Sequence, residues 1–233
     1  MGTSDKKQEA EAERALQRRR VDALMEQGVS FADPARVDIR GTLTCGKDVF
    51  IDINAVFEGI VSLGDNTRIE PNNVIRDSDI GSGTVIHPNC HIEGAKTGND
   101  CEIGPFSRLR PEAELADCVK IGNFVEIKKS TIADGSRVNH LSYIGDTSIG
   151  SGVNVGAGTV TCNYDGANKS RTVIGDGAFI GSGVQLVAPV EIGAGATIGA
   201  GSTISKPAAA GKLTLARAQQ TTLTGWKRPT KKP

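Results

Sequence analysis

The sequence predicts an all-β protein, a parallel β-helix of about ten triangular coils with one short α-helix in front of it. Two observations predict this fold. An aliphatic residue recurs at about every sixth position from Val37 to Ile204, and many of these residues are followed directly by glycine, as in Ile121-Gly122. Aromatic residues make up only 4% of the chain, so the core has to be assembled from many small aliphatic side chains.

The first folded segment is predicted to be a linker helix over residues 9–28. This segment is rich in strong helix formers, places Val21 and Leu24 on one side, and ends at Gly28. Residues 1–8 are predicted to be a leader or a disordered end. The basic run at 18–20 is flanked by acidic residues, which is typical of a solvated helix face and not of a nucleic-acid site.

Residues 29–206 make up the predicted β-helix, and residues 207–233 follow as a basic tail. An aliphatic residue at every sixth position fits neither the 3.6-residue period of an α-helix nor strict alternation. It fits a triangular coil made of three hexapeptides, in which three short strands each point one aliphatic side chain inward. The polar segment from Thr161 to Thr172 interrupts the repeat, and we expect it to leave the coil as a functional loop.

The bulk composition excludes several classes of function. The 27 Lys and Arg residues balance 27 Asp and Glu residues, so no overall field attracts nucleic acid or an anionic membrane. No apolar run reaches the length of a membrane span and the N-terminus is charged, so neither a transmembrane helix nor a signal peptide is expected. Five cysteines without a C-x-x-C pair indicate a reduced compartment, which we take to be the cytoplasm.

The spacing of polar residues in the middle coils outlines a reaction site. Arg110 and Lys128 are separated by three hexapeptides, the length of one predicted coil, so the two cations should stack on one flank and attract an anion such as phosphate. His140 follows in the next coil, where an imidazole can carry a proton. The alternative is that the same residues are ordinary polar side chains on a solvent-exposed sheet and form no site. A zinc site made of His87, His91 and His140 is disfavoured, because His140 lies about 13 Å beyond His91 along the axis.

Five stretches carry a resemblance to a known family: GPFSRLRPEAEL, IGNFVEIKKS, HLSYIGD, NVGAGTVTCNYDGANKSRTVIGD and GSGVQLVAPVEIGAGATIGAGS. From about Val21 onward, the chain closely resembles the C-terminal half of bacterial bifunctional N-acetylglucosamine-1-phosphate uridyltransferase/glucosamine-1-phosphate N-acetyltransferase. Hexapeptide repeats alone are weak evidence for this family. The combination of TCNYDGANK with the preceding HLSY is specific.

The resemblance implies a left-handed β-helix that forms a homotrimer with active sites between subunits. It also implies transfer of acetyl from acetyl-CoA to the amine of glucosamine 1-phosphate, in the UDP-N-acetylglucosamine pathway that supplies peptidoglycan and lipopolysaccharide. The uridyltransferase domain of the full-length family, with its Mg²⁺, is expected to be missing, because no glycine-rich nucleotide loop lies near the start of the chain. We expect no metal and neither a nucleic-acid nor a membrane partner.

Matched position by position, the resemblance also implies roles for individual residues. His140 becomes the general base, with Glu126 orienting it and the Ala157 backbone amide donating to the oxyanion. The implied substrate contacts are Arg110, Lys128, Tyr143, Asn154 and Lys169, and the implied acetyl-CoA contacts are Ala157, Asn163, Tyr164, Ser182, Ala200 and Arg217. Lys169 is expected to reach a neighbouring subunit. We expect direct attack on the thioester, with Cys162 as the nearest candidate for a covalent alternative.

Two other functions remain open from the sequence. One is a noncatalytic trimerisation or regulatory module, of the kind that hexapeptide domains form behind nucleotidyltransferases. The other is an acyltransferase for a different amino sugar, which would use His140 in the same way. Release of coenzyme A that depends on His140 would exclude the module, and a requirement for the substrate phosphate would exclude the other amino sugar.

Overall fold

The structure is a computed structural model that describes residues 5–231, and over these residues it contains one α-helix, one short 3₁₀-helix and 28 short strands. Helix α1 spans Lys6–Glu26 and the 3₁₀-helix spans Pro34–Arg36. The strands in chain order are β1 Ser30–Phe31, β2 Val37–Cys45, β3 Phe50–Ile51, β4 Ala55–Leu63, β5 Arg68–Ile69, β6 Val74–Arg76, β7 Asp79–Ile80, β8 Val85–Ile86, β9 His91–Glu93, β10 Lys96–Thr97, β11 Glu102–Ile103, β12 Arg108–Leu109, β13 Ala113–Leu115, β14 Lys120–Asn123, β15 Glu126–Lys128, β16 Ser130–Ile132, β17 Arg137–His140, β18 Tyr143–Gly145, β19 Thr147–Ile149, β20 Asn154–Val155, β21 Val160–Cys162, β22 Thr172–Ile174, β23 Phe179–Ile180, β24 Gln185–Val187, β25 Val190–Ile192, β26 Thr197–Ile198, β27 Thr203–Ile204 and β28 Leu213–Thr214.

The strands form the three faces of a triangular prism, and neighbouring named strands pair in parallel. The first face is an 11-stranded sheet in the order β1-β3-β5-β8-β11-β14-β17-β20-β23-β26-β28. The other two faces share the long strands β2 and β4. From β4 the second face continues through β6, β9, β12, β15, β18, β21, β24 and β27, and the third through β7, β10, β13, β16, β19, β22 and β25. The prediction of a left-handed parallel β-helix is confirmed.

The repeated aliphatic residues form the core, as the period of six predicts. On the first face Ile69 pairs with Ile86, which pairs with Ile103, and the same stack continues to Ile198. These side chains are fully buried. Burying each one removes an apolar side chain from water and contributes roughly 1.5–3 kcal/mol. Apart from the first coil, the coil that carries the loop and the last coil, successive coils are offset by three hexapeptides or by one residue fewer, so equivalent side chains lie directly above one another.

Helix α1 covers the exposed edge of the first coil. The buried Gln17 side chain accepts a hydrogen bond from Ile39 N at 2.6 Å and donates one to Ile39 O at 3.1 Å. The amide therefore substitutes for a neighbouring strand, and Val21 and Leu24 bury their side chains beside it. An unpaired sheet edge attracts other strands, so this cover protects the end of the prism.

The segment boundaries differ from the predicted ones at three places. Helix α1 begins at Lys6, three residues before the predicted start and inside the segment expected to be a leader, while residues 1–4 lie outside the described residues. The coil continues beyond 206, since β28 pairs with β26 and the buried Ala208 pairs with Ile192. The polar loop is shorter than predicted, because Thr161 and Thr172 belong to β21 and β22. Within residues 5–231, no helix combines the length and apolar character needed to cross a bilayer.

Candidate active site

Five residues on the first face lie in one column that runs along the prism axis, one residue from each of five successive coils: Asn123, His140, Ala157, Ser182 and Ala200. Four of these are residues that the resemblance implied, and the strand register brings them together. Above His140 the column carries only the small side chains of Ala157, Ser182 and Ala200, so an extended ligand can lie along it as along a shallow channel. Coils are spaced about 4.8 Å apart, so the channel from His140 to Ala200 is about 14 Å long.

His140 is exposed at the end of β17, and its imidazole has a polar partner in the coil below. Its Nδ1 atom lies 3.1 Å from Asn123 Oδ1. The two residues are paired in the strand register. They also line a groove of about 330 Å³, whose other walls are formed by His87, Glu102, Gly104, Lys120, Ile121, Gly122 and Asn139.

The predicted contact between Glu126 and His140 is not made within this chain. The Glu126 carboxylate instead accepts a hydrogen bond from Arg110 Nη1 at 2.8 Å. Glu126 begins β15 on the second face and is paired with Tyr143, whereas His140 ends β17 on the first face. The corner of the prism lies between the two side chains, so Glu126 does not orient His140 of its own chain, and an orienting role stays a prediction.

A cationic cluster, Arg110, Lys128 and Lys169, occupies the second face. Arg110 and Lys128 lie one coil apart, as their spacing predicts, because Leu109 and Ile127 are paired. Lys128 Nζ lies 3.3 Å from Asp146 Oδ2, and only 17% and 12% of these two side chains are exposed. Gly145 leaves space for the Tyr143 side chain next to this pair, since a Cβ at Gly145 would lie 2.5 Å from Tyr143 Oη.

Ionisation within the cationic cluster follows from these contacts. Partial burial alone raises the pKa of Asp146, but hydrogen bonds from Asn163 and Lys128 outweigh the burial and lower it. Burial alone lowers the pKa of Lys128, whereas the Asp146 carboxylate beside it favours the charged ammonium, and the pKa is raised. The neighbouring Lys128 ammonium lowers the pKa of Lys169. The three cations of the cluster therefore face two carboxylates, Glu126 and Asp146, which leaves a net positive charge that favours a further anion.

The loop at 163–171 positions three of the implied residues. Asn163 is buried and donates a hydrogen bond to the Asp146 carboxylate. Tyr164 forms a bridge with Lys169 across the loop, and Asp165 accepts hydrogen bonds from the amides of residues 167 and 168. Lys169 was expected to reach a neighbouring subunit. In this chain it lies close to its own Lys128 and Asp146, because the loop folds back along the second face.

The remaining implied residues lie near the channel or at its upper end. Asn154 belongs to β20 on the first face, one coil above Arg137, and not to the face with the lysines. Arg217 Nη1 donates to Ala200 O at 2.9 Å, so the start of the tail is joined to the top of the channel. Cys162 follows Gly145 one coil higher on the second face, and burial raises the pKa of its thiol. Among residues 5–231, no three metal-ligating side chains are grouped closely enough to hold an ion.

One prism does not bring the imidazole and the cationic cluster into a single cleft. Between them runs a corner ridge formed by Phe106, Phe124 and Leu141, whose side chains are 52%, 55% and 64% exposed. The two phenyl rings stack with their centroids 5.4 Å apart. All three residues have positive φ angles, between 48° and 57°, which bulky side chains adopt at a cost. The walls of the His140 groove include neither Arg110 nor Lys128.

Sequence reasoning missed two residues of this site, Asn123 and Asp146. Each lies one coil from a residue that was singled out: Asn123 is one coil before His140, and Asp146 is one coil after Lys128. Stepping by one coil length from His140 and from Lys128 would therefore have identified both residues. That length is not constant along the chain, because some coils are one residue shorter than three hexapeptides. The pairing of particular side chains therefore follows only from the folded register.

The fold and its period of six define the chain as a hexapeptide-repeat protein. The family model described as bacterial transferase hexapeptide (six repeats) matches residues 171–206. A UDP-N-acetylglucosamine acyltransferase of Arabidopsis has the same fold with a TM-score of 0.54 and 18% identity, covering 74% of this chain and 67% of that one. The corresponding enzyme of Francisella novicida gives a TM-score of 0.51 at 15% identity, covering 72% and 60% of the two chains. At these identities the two structures show the fold alone.

Curated relatives are much closer in sequence. The bifunctional protein GlmU of Ralstonia pickettii (strain 12J) is 59% identical over 231 residues, which is 99% of this chain and 51% of that protein. The GlmU protein of Chromobacterium violaceum is 59% identical over the same fractions, and that of Bordetella parapertussis is 55% identical over 100% and 51%. The chain thus spans about half the length of the relatives it matches. It is a homologue of the bifunctional GlmU proteins and corresponds to their hexapeptide-repeat part, which confirms the resemblance.

Proposed function

We propose that the chain is an acetyltransferase that moves the acetyl group of acetyl-CoA to the amine of glucosamine 1-phosphate, giving N-acetylglucosamine 1-phosphate. The observation that carries this proposal is the column on the first face, in which His140 lies directly below a channel of small side chains. Such a channel fits an extended thioester arm that ends at the imidazole. Similarity to the GlmU proteins supports the choice of substrates.

His140 would act as the general base. A sugar amine has to be neutral to attack a thioester, and imidazole has an ordinary pKa close to neutral pH. In the proposed step the amine nitrogen bonds to the thioester carbonyl carbon, His140 Nε2 takes the amine proton, and the carbon–sulfur bond breaks. The sulfur leaves as coenzyme A and receives a proton. No group of the enzyme is acylated.

The oxyanion of this step needs a donor, and the Ala157 amide is suitably placed. It lies one coil above His140, and its N–H makes no hydrogen bond to any other group of residues 5–231. A preorganised donor that pairs only with the developing negative charge lowers the barrier to reaction. Ser182 and Ala200 continue the channel above it, and Arg217 offers a cation to the phosphates of coenzyme A.

The sugar phosphate would bind to the cationic cluster of Arg110, Lys128 and Lys169, with Tyr143 beside it. Because the corner ridge separates this cluster from His140 within one prism, we place the complete site between subunits. The first face of one copy would meet the second face of the next, and three copies would close the ring with three equal sites. The exposed ridge supports this assembly, since association would remove apolar side chains from water.

Asn154 extends from the first face next to the column and would complete the substrate pocket on the side of the imidazole. Asn163 and Tyr164 of one copy would border the acetyl-CoA channel of the next copy from the loop. The reaction would take place in the cytoplasm, where acetyl-CoA is made. There it would supply the precursor of UDP-N-acetylglucosamine for peptidoglycan and lipopolysaccharide.

The test measures coenzyme A release with a thiol reagent in the presence of acetyl-CoA and glucosamine 1-phosphate. We expect turnover in the wild type and a loss of roughly 10²-fold or more in His140→Ala. His91→Ala is a matched control, because His91 is exposed on β9, outside the His140 groove. A folded oligomer without release would contradict the proposal. Undiminished turnover with glucosamine would contradict the role of the phosphate.

A further inference from the structure

Asn123 provides the one hydrogen-bond partner of the His140 ring among residues 5–231. Asn123 ends β14 and His140 ends β17, and these two positions are paired in the parallel register of the first face. The Asn123 backbone also accepts a hydrogen bond from Leu141 N at 3.1 Å, which locks the two coils together at this point. The side-chain amide is therefore held in place directly below the imidazole.

The contact favours one tautomer of the imidazole. Asn123 Oδ1 can only accept a hydrogen bond, so the 3.1 Å contact with Nδ1 is a hydrogen bond only when Nδ1 carries hydrogen. In a neutral imidazole the other nitrogen, Nε2, then has a free lone pair. Only that form can remove a proton through Nε2.

The amide also differs in its chemistry from the carboxylate that usually fills this position in catalytic triads. A carboxylate would favour the charged imidazolium, whereas an uncharged amide fixes the tautomer without adding a charge. The charged groups that line the groove around His140 are Glu102 and Lys120, and they pair with each other at 2.7 Å. His87 is occupied by Glu70 at 3.1 Å.

We propose that Asn123 is a positioning residue that holds His140 in the tautomer with hydrogen on Nδ1, so that Nε2 is free to act as base. This inference rests on the proposed function, because it assigns Nε2 the proton of the sugar amine. Within one chain Glu126 does not fill this position, because it lies beyond the corner and pairs with Arg110.

Nitrogen NMR of the full chain tests the tautomer without any need for activity. The chain has three histidines, so His140→Gln identifies the signals of His140 by their disappearance. At a pH where the ring is neutral, the wild type should show hydrogen on Nδ1 and a bare Nε2. Asn123→Ala should move the population towards hydrogen on Nε2. A wild-type ring with its proton on Nε2 would overturn the proposal.

Kinetics separate positioning from a structural role. Asn123→Ala should lower kcat by roughly 10- to 100-fold with little change in KM, because the base is present in the wrong form. Asn123→Asp keeps an acceptor, so it should recover most of kcat at high pH and move the acidic limb of the pH profile upward. Lys120→Met, in the same groove, should change neither kcat nor the tautomer.

The outcomes distinguish this inference from the proposed function. If the wild type transfers no acetyl group, the proposed function fails whatever the spectra show. If the wild type is active and Asn123→Ala has the same kcat and the same tautomer, the positioning role is wrong. Equal loss of kcat in the Ala and Asp variants would also overturn it, because the acceptor would then be irrelevant.

Discussion

Lys128 and Asp146 form a largely buried ion pair between neighbouring coils, with 3.3 Å between Nζ and Oδ2. Asp146 also accepts a hydrogen bond from Asn163, so one carboxylate joins the cationic cluster to the base of the loop. This arrangement holds a lysine in a fixed position although it is partly removed from water. Loss of the carboxylate would therefore affect both the stability of the coil and the shape of the cluster.

Asp146→Ala should destabilise the fold by roughly 1–3 kcal/mol, because Lys128 would remain partly buried without its counter-charge. Urea unfolding measures the change. Glu102→Ala is the matched control, because Glu102 pairs with Lys120 of the next coil. The side chains of Lys120 and Glu102 are 42% and 50% exposed. An exposed pair contributes at most about 1 kcal/mol. An equal decrease in the free energy of unfolding in the two variants would show that burial of the Lys128 pair does not add to stability.

Stability should fall in acid partly through Asp146. Its pKa is lowered in the folded chain, because hydrogen bonds from Asn163 and Lys128 outweigh the effect of burial. The folded state therefore releases the proton more readily than the unfolded state. The resulting stability is fully present above the unfolded pKa of about 3.9, and it is lost as the pH falls through the lower folded pKa.

Urea unfolding of the wild type and Asp146→Asn between neutral pH and the acid range measures this contribution. The difference in stability between the two proteins should be largest near neutral pH and should shrink below about pH 4. A difference that stays constant across the range would mean that another group accounts for the acid sensitivity.

Phe124→Gly should weaken the association of subunits without straining the chain. Glycine adopts the φ of 57° at this corner more easily than phenylalanine does, so the substitution removes the exposed ring without straining the turn. Sedimentation at several protein concentrations measures the association. The variant should need at least about tenfold more protein than the wild type to remain assembled, since full burial of a Phe side chain contributes roughly 1.5–3 kcal/mol. Activity should fall in parallel.

Ile60→Ser provides the control for the ridge. Ile60 is 72% exposed on the long strand β4, about three coils before Phe106, the nearest residue of the ridge. Its loss should leave the oligomer unchanged. A wild-type chain that is fully active as a single subunit would rule out a site shared between subunits.

Cys162→Ala should keep turnover within about threefold of the wild type. Burial raises the pKa of this thiol, so little of the reactive thiolate exists at neutral pH. Mass spectrometry of the wild type after mixing with acetyl-CoA should find no acetyl group on the Cys162 sulfur. A dead Cys162→Ala enzyme, or an acetylated thiol that forms and disappears at the rate of turnover, would establish a covalent route.

The fold could be predicted from sequence because each coil repeats the same local structure, in which short strands point aliphatic side chains inward. An aliphatic residue such as Ile103 points inward whatever its neighbours are, and the equivalent Ile86 and Ile121 stack on it. The bounds of the repeat were less predictable. The last coil, ending in β28, lacks the aliphatic pattern and is recognised by its pairing with β26.

The site could be predicted less completely, because its residues interact across coils and around a corner. Arg110 and Lys128 were found from their spacing, but Asn123 and Asp146 were not. The place of Lys169 depends on how the loop folds back, which the repeat does not specify. Glu126 is near His140 in sequence, yet the two lie on different faces with the corner ridge between them.

By itself, the sequence determined the β-helix, its approximate length and the single interruption by a loop, because hydrophobic burial acts on every repeat independently. Only the tertiary structure decided which polar side chains meet. A coil that is shorter by a single residue changes which side chain lies above which, and a corner separates neighbours in the chain onto different faces. For that reason the partner of His140 is an amide one coil below it and not the carboxylate of Glu126.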